Sequence, residues 1–357
     1  MRVNQQIQVG MQRLKVAVVT VAAILVLSAC SPASEPQPKV LEGQIFGTYF
    51  QVSIGTQHEF AEDEVREGVM AVLNEIDRQM STYREDSVLN QVNQSPLGEP
   101  VAVPDKLFYV LALGYDIAEI SGGAFDYTVG GLVNLWGFGP EGRITKAPNS
   151  EELEQRLAQV GYRYVELDHA QQTVTRHSDV FIDLSGIAKG YAVDEVSDYL
   201  HSLGIENHLV NIGGDLIAQG QRSSEQQWRI GIEAPNDSQQ VVRHILPLHN
   251  VAMLGSGDYR NYFEADGVRY SHTINPATGR PIAHRLAAVH VLGDNATEAD
   301  AFATVLLVLG EQEGLKFAND HDIAALFVYR DGSGFESAMS DRFERNHADT
   351  MEVPTTL

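Results

Sequence analysis

Cysteine is nearly absent from this sequence. The 357 residues include one, Cys30, which excludes an internal disulfide and any cysteine-rich metal centre. Positive charge is scarce as well: 25 lysines and arginines face 48 aspartates and glutamates, for a net charge of −23. Nucleic-acid phosphates would be repelled at long range, so no nucleic acid is expected as a partner, and charge alone would not hold the chain on anionic lipid. The apolar run from Val16 to Leu27 is short. As a helix it would span ~18 Å of a ~30 Å hydrocarbon core, too little to cross a membrane. No His-Glu-x-x-His pair offers a zinc site, and neither a Walker loop nor a serine-hydrolase signature is present.

What stands around the apolar run explains it. Arg2, Arg13 and Lys15 precede it with no acidic residue, and Leu27-Ser28-Ala29-Cys30 closes it. This is the pattern of a bacterial lipoprotein signal. Residues 1–29 read as the cleaved signal, and residues 30–39 as a flexible tether rich in serine and proline that carries the lipidated Cys30. Residues 40–345 read as the folded domain and 346–357 as a C-terminal tail. Cleavage removes three basic residues and no acidic one, so the mature chain is more acidic still. More than one acyl chain gives stable anchorage. The expected address is the periplasmic face of a bacterial membrane, with the inner membrane as the expectation although Ser31 does not fix it.

Apolar periodicity sets out the elements. Alternation in Ile45, Phe46, Tyr49, Phe50, Val52 and Ile54 predicts a strand or hairpin, and spacings of three and four from Val65 to Met80 predict a helix. Further helices are expected over Asp105 to Ser121, Glu151 to Val160, Ala188 to Leu203 and Ala301 to Leu309. Strands are expected at Tyr164 to Leu167, Thr173 to Arg176, Val180 to Leu184, His208 to Ile212, Trp228 to Glu233, Val242 to Leu248, Tyr259 to Tyr270 and Ala324 to Tyr329. The glycine- and aromatic-rich stretch from Phe125 to Gly142 reads as an ordered functional loop. Without strict βαβ alternation the fold class is α+β, with mixed, antiparallel-rich sheets and packed helices.

Four segments could carry chemistry. In Asp183-Leu184-Ser185-Gly186-Ile187-Ala188-Lys189-Gly190 a strand ends in an acid and a lysine opens a helix, a combination that attracts phosphate. The same residues could simply cap the helix and bind backbone amides. Asn211-Ile212-Gly213-Gly214-Asp215 permits close backbone approach to a ligand, or only a tight turn. In Thr297-Glu298-Ala299-Asp300-Ala301-Phe302-Ala303-Thr304, Thr297 and Asp300 could form a capping box. Alternatively, Asp300 and Thr304 share one helical face as hard oxygen ligands for Mg²⁺. Ser271-His272-Thr273-Ile274-Asn275-Pro276 places a histidine before a turn, either as a surface group or as a base.

Together and in this order, these segments resemble the ApbE-like FAD:protein FMN transferases, over roughly Val40 to Met339. Gly47-Thr48, Ser81-Thr82-Tyr83, Ser87-x-Leu89-Asn90, Ala124-Phe125-Asp126 and Thr128-Val129-Gly130 add to the likeness. So do Val133-Asn134-Leu135-Trp136-Gly137-Phe138-Gly139 and Ser256-Gly257-Asp258-Tyr259-Arg260. The resemblance implies cleavage of FAD at its pyrophosphate, attachment of FMN by a phosphoester to a threonine or serine of a target flavoprotein, and release of AMP. It implies Mg²⁺ held by Asp300, Thr304 and a main-chain oxygen near Gly186. FAD contacts are implied at Phe46, Ala124, Phe125, Asp126, Asp183, Lys189 and Ile274, with Tyr83 as an aromatic partner for the flavin. His272 would accept the proton of the incoming hydroxyl, and Asp300 would act with it in catalysis. Implied partners are flavoprotein subunits of membrane redox complexes, of the sodium-pumping NADH:quinone reductase or Rnf type. The chain departs from the usual pattern at Phe46 for methionine, Gly255 for threonine and Asn275 for aspartate. The alternatives are a Mg²⁺-dependent FAD pyrophosphatase, in which water replaces the hydroxyl, and a non-enzymatic flavin-binding lipoprotein.

Overall fold

A computed structural model describes residues 37–352, apart from 145, 234–241, 260, 266 and 333. The signal sequence, Cys30, Arg260 and the end of the C-terminal tail lie outside the described residues. No helix among the described residues is long and apolar enough to cross a membrane.

Among the described residues, seventeen strands follow in chain order. They are β1 Lys39–Ile45, β2 Thr48–Ile54, β3 Val101–Ala102, β4 Val165–Asp168, β5 Thr173–Arg176, β6 His208–Ile212, β7 Asp215–Gln219, β8 Trp228–Glu233 and β9 Val242–Leu248. Then come β10 Val251–Gly257, β11 Tyr262–Ala265, β12 Val268–Ser271, β13 Ile274–Asn275, β14 Arg280–Pro281, β15 Leu286–Gly293, β16 Ala324–Asp331 and β17 Gly334–Met339. Eight α-helices accompany them among the described residues: α1 Glu62–Met80, α2 Val88–Gln94, α3 Asp105–Ile120, α4 Gly130–Leu135, α5 Ser150–Leu157, α6 Ala188–Ser202, α7 Ala296–Asp320 and α8 Asp341–His347.

The centre is an eight-stranded sheet in the order β1-β2-β6-β7-β10-β15-β16-β17, antiparallel at every pairing. The α+β expectation therefore holds. Alternation along each strand gives the sheet two apolar faces. Val52, Val210, Ile217, Leu254, Val289 and Phe327 face the helices, where they meet Val69 and Leu73 of α1, Val196 of α6 and Leu306 of α7. On the other face Leu216, Met253, Leu292 and Leu326 pack against Trp228, Ile232 and Leu246 of the β8–β9 hairpin and Phe343 of α8. The β1–β2 hairpin turns at Phe46 and Gly47, both with positive φ (52° and 73°), the conformation that two-residue turns between twisted strands demand.

Several elements differ from the sequence reading. Val180 to Leu184 is buried and extended but joins no ladder beyond one bridge, Val129 to Phe181. Its backbone bonds go elsewhere: Asn93 accepts from the Ile182 amide at 2.7 Å and donates to the Ile182 carbonyl at 2.9 Å, while the Asp183 amide donates to the Tyr127 carbonyl at 2.7 Å. The segment from Phe125 to Gly142 contains α4, which a glycine pair at its start had concealed. Tyr259 to Tyr270 is a hairpin rather than one strand. The helix expected over Ala301 to Leu309 starts at Ala296 and runs to Asp320, interrupted at Gly310, whose φ of 81° and ψ of −176° suit only glycine. Its cap is Asn295, which accepts from the Glu298 amide. The Thr297–Asp300 capping box does not form, because the Thr297 hydroxyl donates to Asp194. Nor does Ser185 cap α6, which begins after Ile187 without a side-chain cap.

Candidate functional site

One large cavity of about 560 Å³ opens where the N-terminus of α6, the first turns of α7 and the tip of the β6–β7 hairpin converge. Gly190 lets the two helices meet this closely: a Cβ there would lie 2.2 Å from the Ala296 carbonyl oxygen and 2.7 Å from Asp300 Cβ. The approach sets Lys189 beside Asp300. Its Nζ donates to Asp215 and stands 4.0 Å from Asp300 Oδ1. Both carboxylates are 2% exposed.

Burial raises the Asp300 carboxyl to about 6, with Asp215 adding to the rise while Lys189 and the Gly190 amide oppose it. Burial works against the Lys189 ammonium, but Asp215 and Asp300 overcome it and hold Lys189 above the usual lysine value. One ammonium thus serves two buried carboxylates, which leaves a local deficit of positive charge.

Oxygen donors converge on the same spot. The Gly190 amide, which helical periodicity would offer to the Gly186 carbonyl, donates instead to Asp300 Oδ2 at 2.9 Å. Among the described residues the Gly186 oxygen is left with only the Thr304 hydroxyl, at 3.3 Å. A carboxylate, a hydroxyl and a carbonyl held by no backbone amide among the described residues suit a hard divalent cation such as Mg²⁺, whose charge would meet the deficit.

His272 lines the same cavity. Its Nδ1 donates to the Asn261 carbonyl at 3.0 Å, which fixes the tautomer and leaves the Nε2 lone pair free. Burial pushes its pKa below the ordinary histidine value, more than the Asn261 carbonyl and Asp258 restore, and nearby Lys189 lowers it further. The imidazole is therefore neutral near pH 7.

The remaining expected positions divide. Ala124, Phe125, Asp126, Asp183 and Ile274 line the cavity. The Asp126 carboxylate is occupied by the fold: it accepts from the Thr128 amide and hydroxyl at 2.8 and 2.6 Å and from the Tyr162 amide at 2.9 Å. Asp183 likewise accepts from the Ser185 amide. Tyr83 is 69% exposed and belongs to a second, smaller cavity of about 220 Å³ with Phe138 and Phe263. Asn261 lines both cavities. Phe46 sits at its hairpin tip, packed against the core and outside either lining. Trp136, in the most distinctive string, is a structural anchor, donating from Nε1 to the Gly279 carbonyl at 2.8 Å.

Asp215 carries more of the site than its place in a glycine turn suggests. It holds Lys189 with one oxygen and accepts from the Gly255 amide at 3.0 Å with the other. An acid opening the buried strand Leu216-Ile217-Ala218 is the signal that marks it.

These features define an α+β protein whose large cavity sets a part-buried lysine between two buried carboxylates, next to clustered oxygen donors and a neutral histidine. The model of the ApbE family matches residues 46–327, and the chain belongs to that family. It is 40% identical over 328 residues to the FAD:protein FMN transferase of Vibrio cholerae, covering 91% of this chain and 97% of that one. To the Escherichia coli protein of the same name it is 33% identical over 336 residues, with 92% and 96% covered. The solved flavin transferase ApbE from Vibrio cholerae superposes with a TM-score of 0.80 at 38% identity, over 87% of this chain and 99% of that chain. The apo flavinyl transferase ApbE of Pseudomonas stutzeri gives 0.80 at 38%, over 88% and 98%.

Proposed function

We propose that this chain is an FAD:protein FMN transferase that moves FMN from FAD to a serine or threonine of a flavoprotein and releases AMP. The observation that carries the reading is the Lys189–Asp215–Asp300 cluster facing His272 across one cavity, in a chain whose full-length relatives bear that name. Lys189 binds and orients the pyrophosphate. His272 Nε2 takes the proton of the incoming hydroxyl, whose oxygen bonds to the FMN phosphorus as the bond to the bridging oxygen breaks. That oxygen departs with AMP. Asp300, Thr304 and the Gly186 carbonyl would hold Mg²⁺, which when bound supplies charge neutralisation to the pyrophosphate. Tyr83, with Phe138 and Phe263, offers the flavin an aromatic surface.

The tethered, periplasm-facing chain would meet acceptors on the same membrane, such as subunits of sodium-pumping NADH:quinone reductase or Rnf-type complexes. Tethering raises the effective concentration of enzyme near acceptor without any new contact.

Incubating the mature protein with FAD, Mg²⁺ and an acceptor domain should give a flavin-fluorescent acceptor band on a denaturing gel. AMP without a band indicates FAD hydrolysis instead, and neither product refutes both activities. Because His272 must be neutral to accept a proton and its pKa lies below 6.5, the rate should hold at pH 7 and fall only in more acidic solution. His272→Asn should lower kcat by ~10²-fold or more and remove its share of that acidic limb, leaving the fall that protonation of Asp300, raised to about 6, produces. An unchanged pH profile would assign the proton to another group.

A further inference from the structure

The imidazole of His272 takes its orientation from the short crossing between β10 and β11. There the Asn261 carbonyl accepts from the His272 amide at 3.1 Å and from Nδ1 at 3.0 Å, although Asn261 itself is exposed. The crossing is fixed at its first residue, Asp258, which is buried and whose polar groups are each taken by a different strand. Its amide donates to the Ala287 carbonyl of β15 at 3.0 Å, and its carbonyl accepts from Arg269 Nη2 of β12 at 3.2 Å. Its carboxylate accepts from Nη1 and Nη2 of Arg330, on β16, at 2.9 and 2.7 Å. A two-pronged pair of this kind fixes angle as well as distance. Arg330 comes from two strands away, past a bulge in β15: Leu286 pairs with Tyr329 and Ala288 with Val328, so Ala287 is the extra residue. Bulges bend a strand and re-aim the side chains beside it.

We propose that Arg330 is a positioning residue for FMN transfer, acting on His272 through Asp258 and Asn261. Its fork holds the crossing so that the Asn261 carbonyl keeps the Nδ1 proton. Its charge offsets the Asp258 carboxylate, which on its own favours the imidazolium form. The consequence for rate rests on the transferase reading above, whereas the arrangement does not. Among the described residues two charges act on the ring, Lys189 of α6 lowering its pKa and Asp258 raising it. Phe138, which meets the ring edge-on at 6.3 Å, brings no charge. Asp183 and Asp300 line the same cavity, the latter beside Lys189, and the Arg269 guanidinium lies 3.7 Å from the Tyr262 ring.

The test compares the full chain with Arg330→Gln, Arg330→Lys and Asp258→Asn. Because Asp300 shares the acidic limb of the rate, the His272 ring is titrated directly by NMR with isotope-labelled histidine, its resonance identified by its loss in His272→Asn. Arg330→Gln should raise the midpoint of the ring by a few tenths of a pH unit or more. It should also lower kcat about tenfold or more, with KM for FAD within about twofold. Arg330→Lys, which restores the charge without the fork, should return the midpoint and only part of the rate. Asp258→Asn should move the midpoint the opposite way, to lower pH. A midpoint that stays in place in Arg330→Gln, shifts of one sign in Arg330→Gln and Asp258→Asn, or a loss carried by KM overturns the proposal. If Arg330→Gln does not fold, Asp258→Asn decides by the direction of its shift, and a midpoint unmoved or raised refutes the role. If the unaltered chain transfers no FMN, the transferase reading is what has failed, and the titrations judge Arg330 by the same signs.

Discussion

At the residue scale, Asp300 does two things at once. Its Oδ2 replaces a backbone acceptor for Gly190, and its charge pairs with Lys189 while leaving room for a cation. Asp300→Asn separates these roles, since an amide oxygen can still accept from Gly190. The variant should lose at least ~10²-fold in kcat, while its thermal midpoint moves by only a few degrees, about what 1 kcal/mol produces. Activity that survives both this change and chelation of Mg²⁺ would show that the metal assignment is wrong. The sequence left Asp300 open between a helix cap and a metal ligand. The Asn295 cap and the Thr297 hydrogen bond to Asp194 exclude the former, because spacing does not say which side chain turns back on the helix.

At the element scale, the site depends on how closely α6 and α7 approach. Lys189 rides on one helix and Asp300 and Thr304 on the other, so Gly190 determines their separation. Gly190→Ala would set a methyl group against the Ala296 carbonyl and drive the helices apart. Overpacking of this kind costs about 1–3 kcal/mol, and a displacement of ~1 Å can cost ~10²-fold in rate. Thermal melts and kcat/KM should both register the change, whereas an unaltered rate would mean that the helix spacing is not limiting. The amphipathic helices were legible from their periodicity. The segment Val180 to Leu184 was not, because an apolar run announces burial without naming the partner of its amides, and here that partner is Asn93.

At the scale of the whole molecule, acid should weaken the fold through His208. Its Nδ1 donates to the Ile205 carbonyl and its Nε2 accepts from the Ser197 hydroxyl, both at 2.8 Å, so the buried ring is held neutral. Burial lowers its pKa to about 4. The unfolded chain protonates first, near 6.5, so stability present above that pH is lost as pH falls toward about 4. At ~1.4 kcal/mol per pH unit the loss reaches about 3 kcal/mol. Urea midpoints from pH 7 to pH 4 should fall accordingly, and His208→Asn should flatten that share of the slope. The proposed lipid anchor belongs to the same scale: Cys30→Ala should abolish palmitate labelling and move the protein from the membrane to the soluble fraction. Retention in the membrane would refute it.

Local chemistry was determined by the sequence alone: the net acidity, the helix periods, the glycine turns, and the motifs whose order resembles one family. These need only neighbouring residues, so proximity along the chain suffices. The charge balance of the site was decided by the tertiary structure. Asp215 reaches Lys189 across 26 residues and Asp300 reaches Gly190 across 110. Contacts at such separations exist only after the sheet has registered and the helices have packed on it.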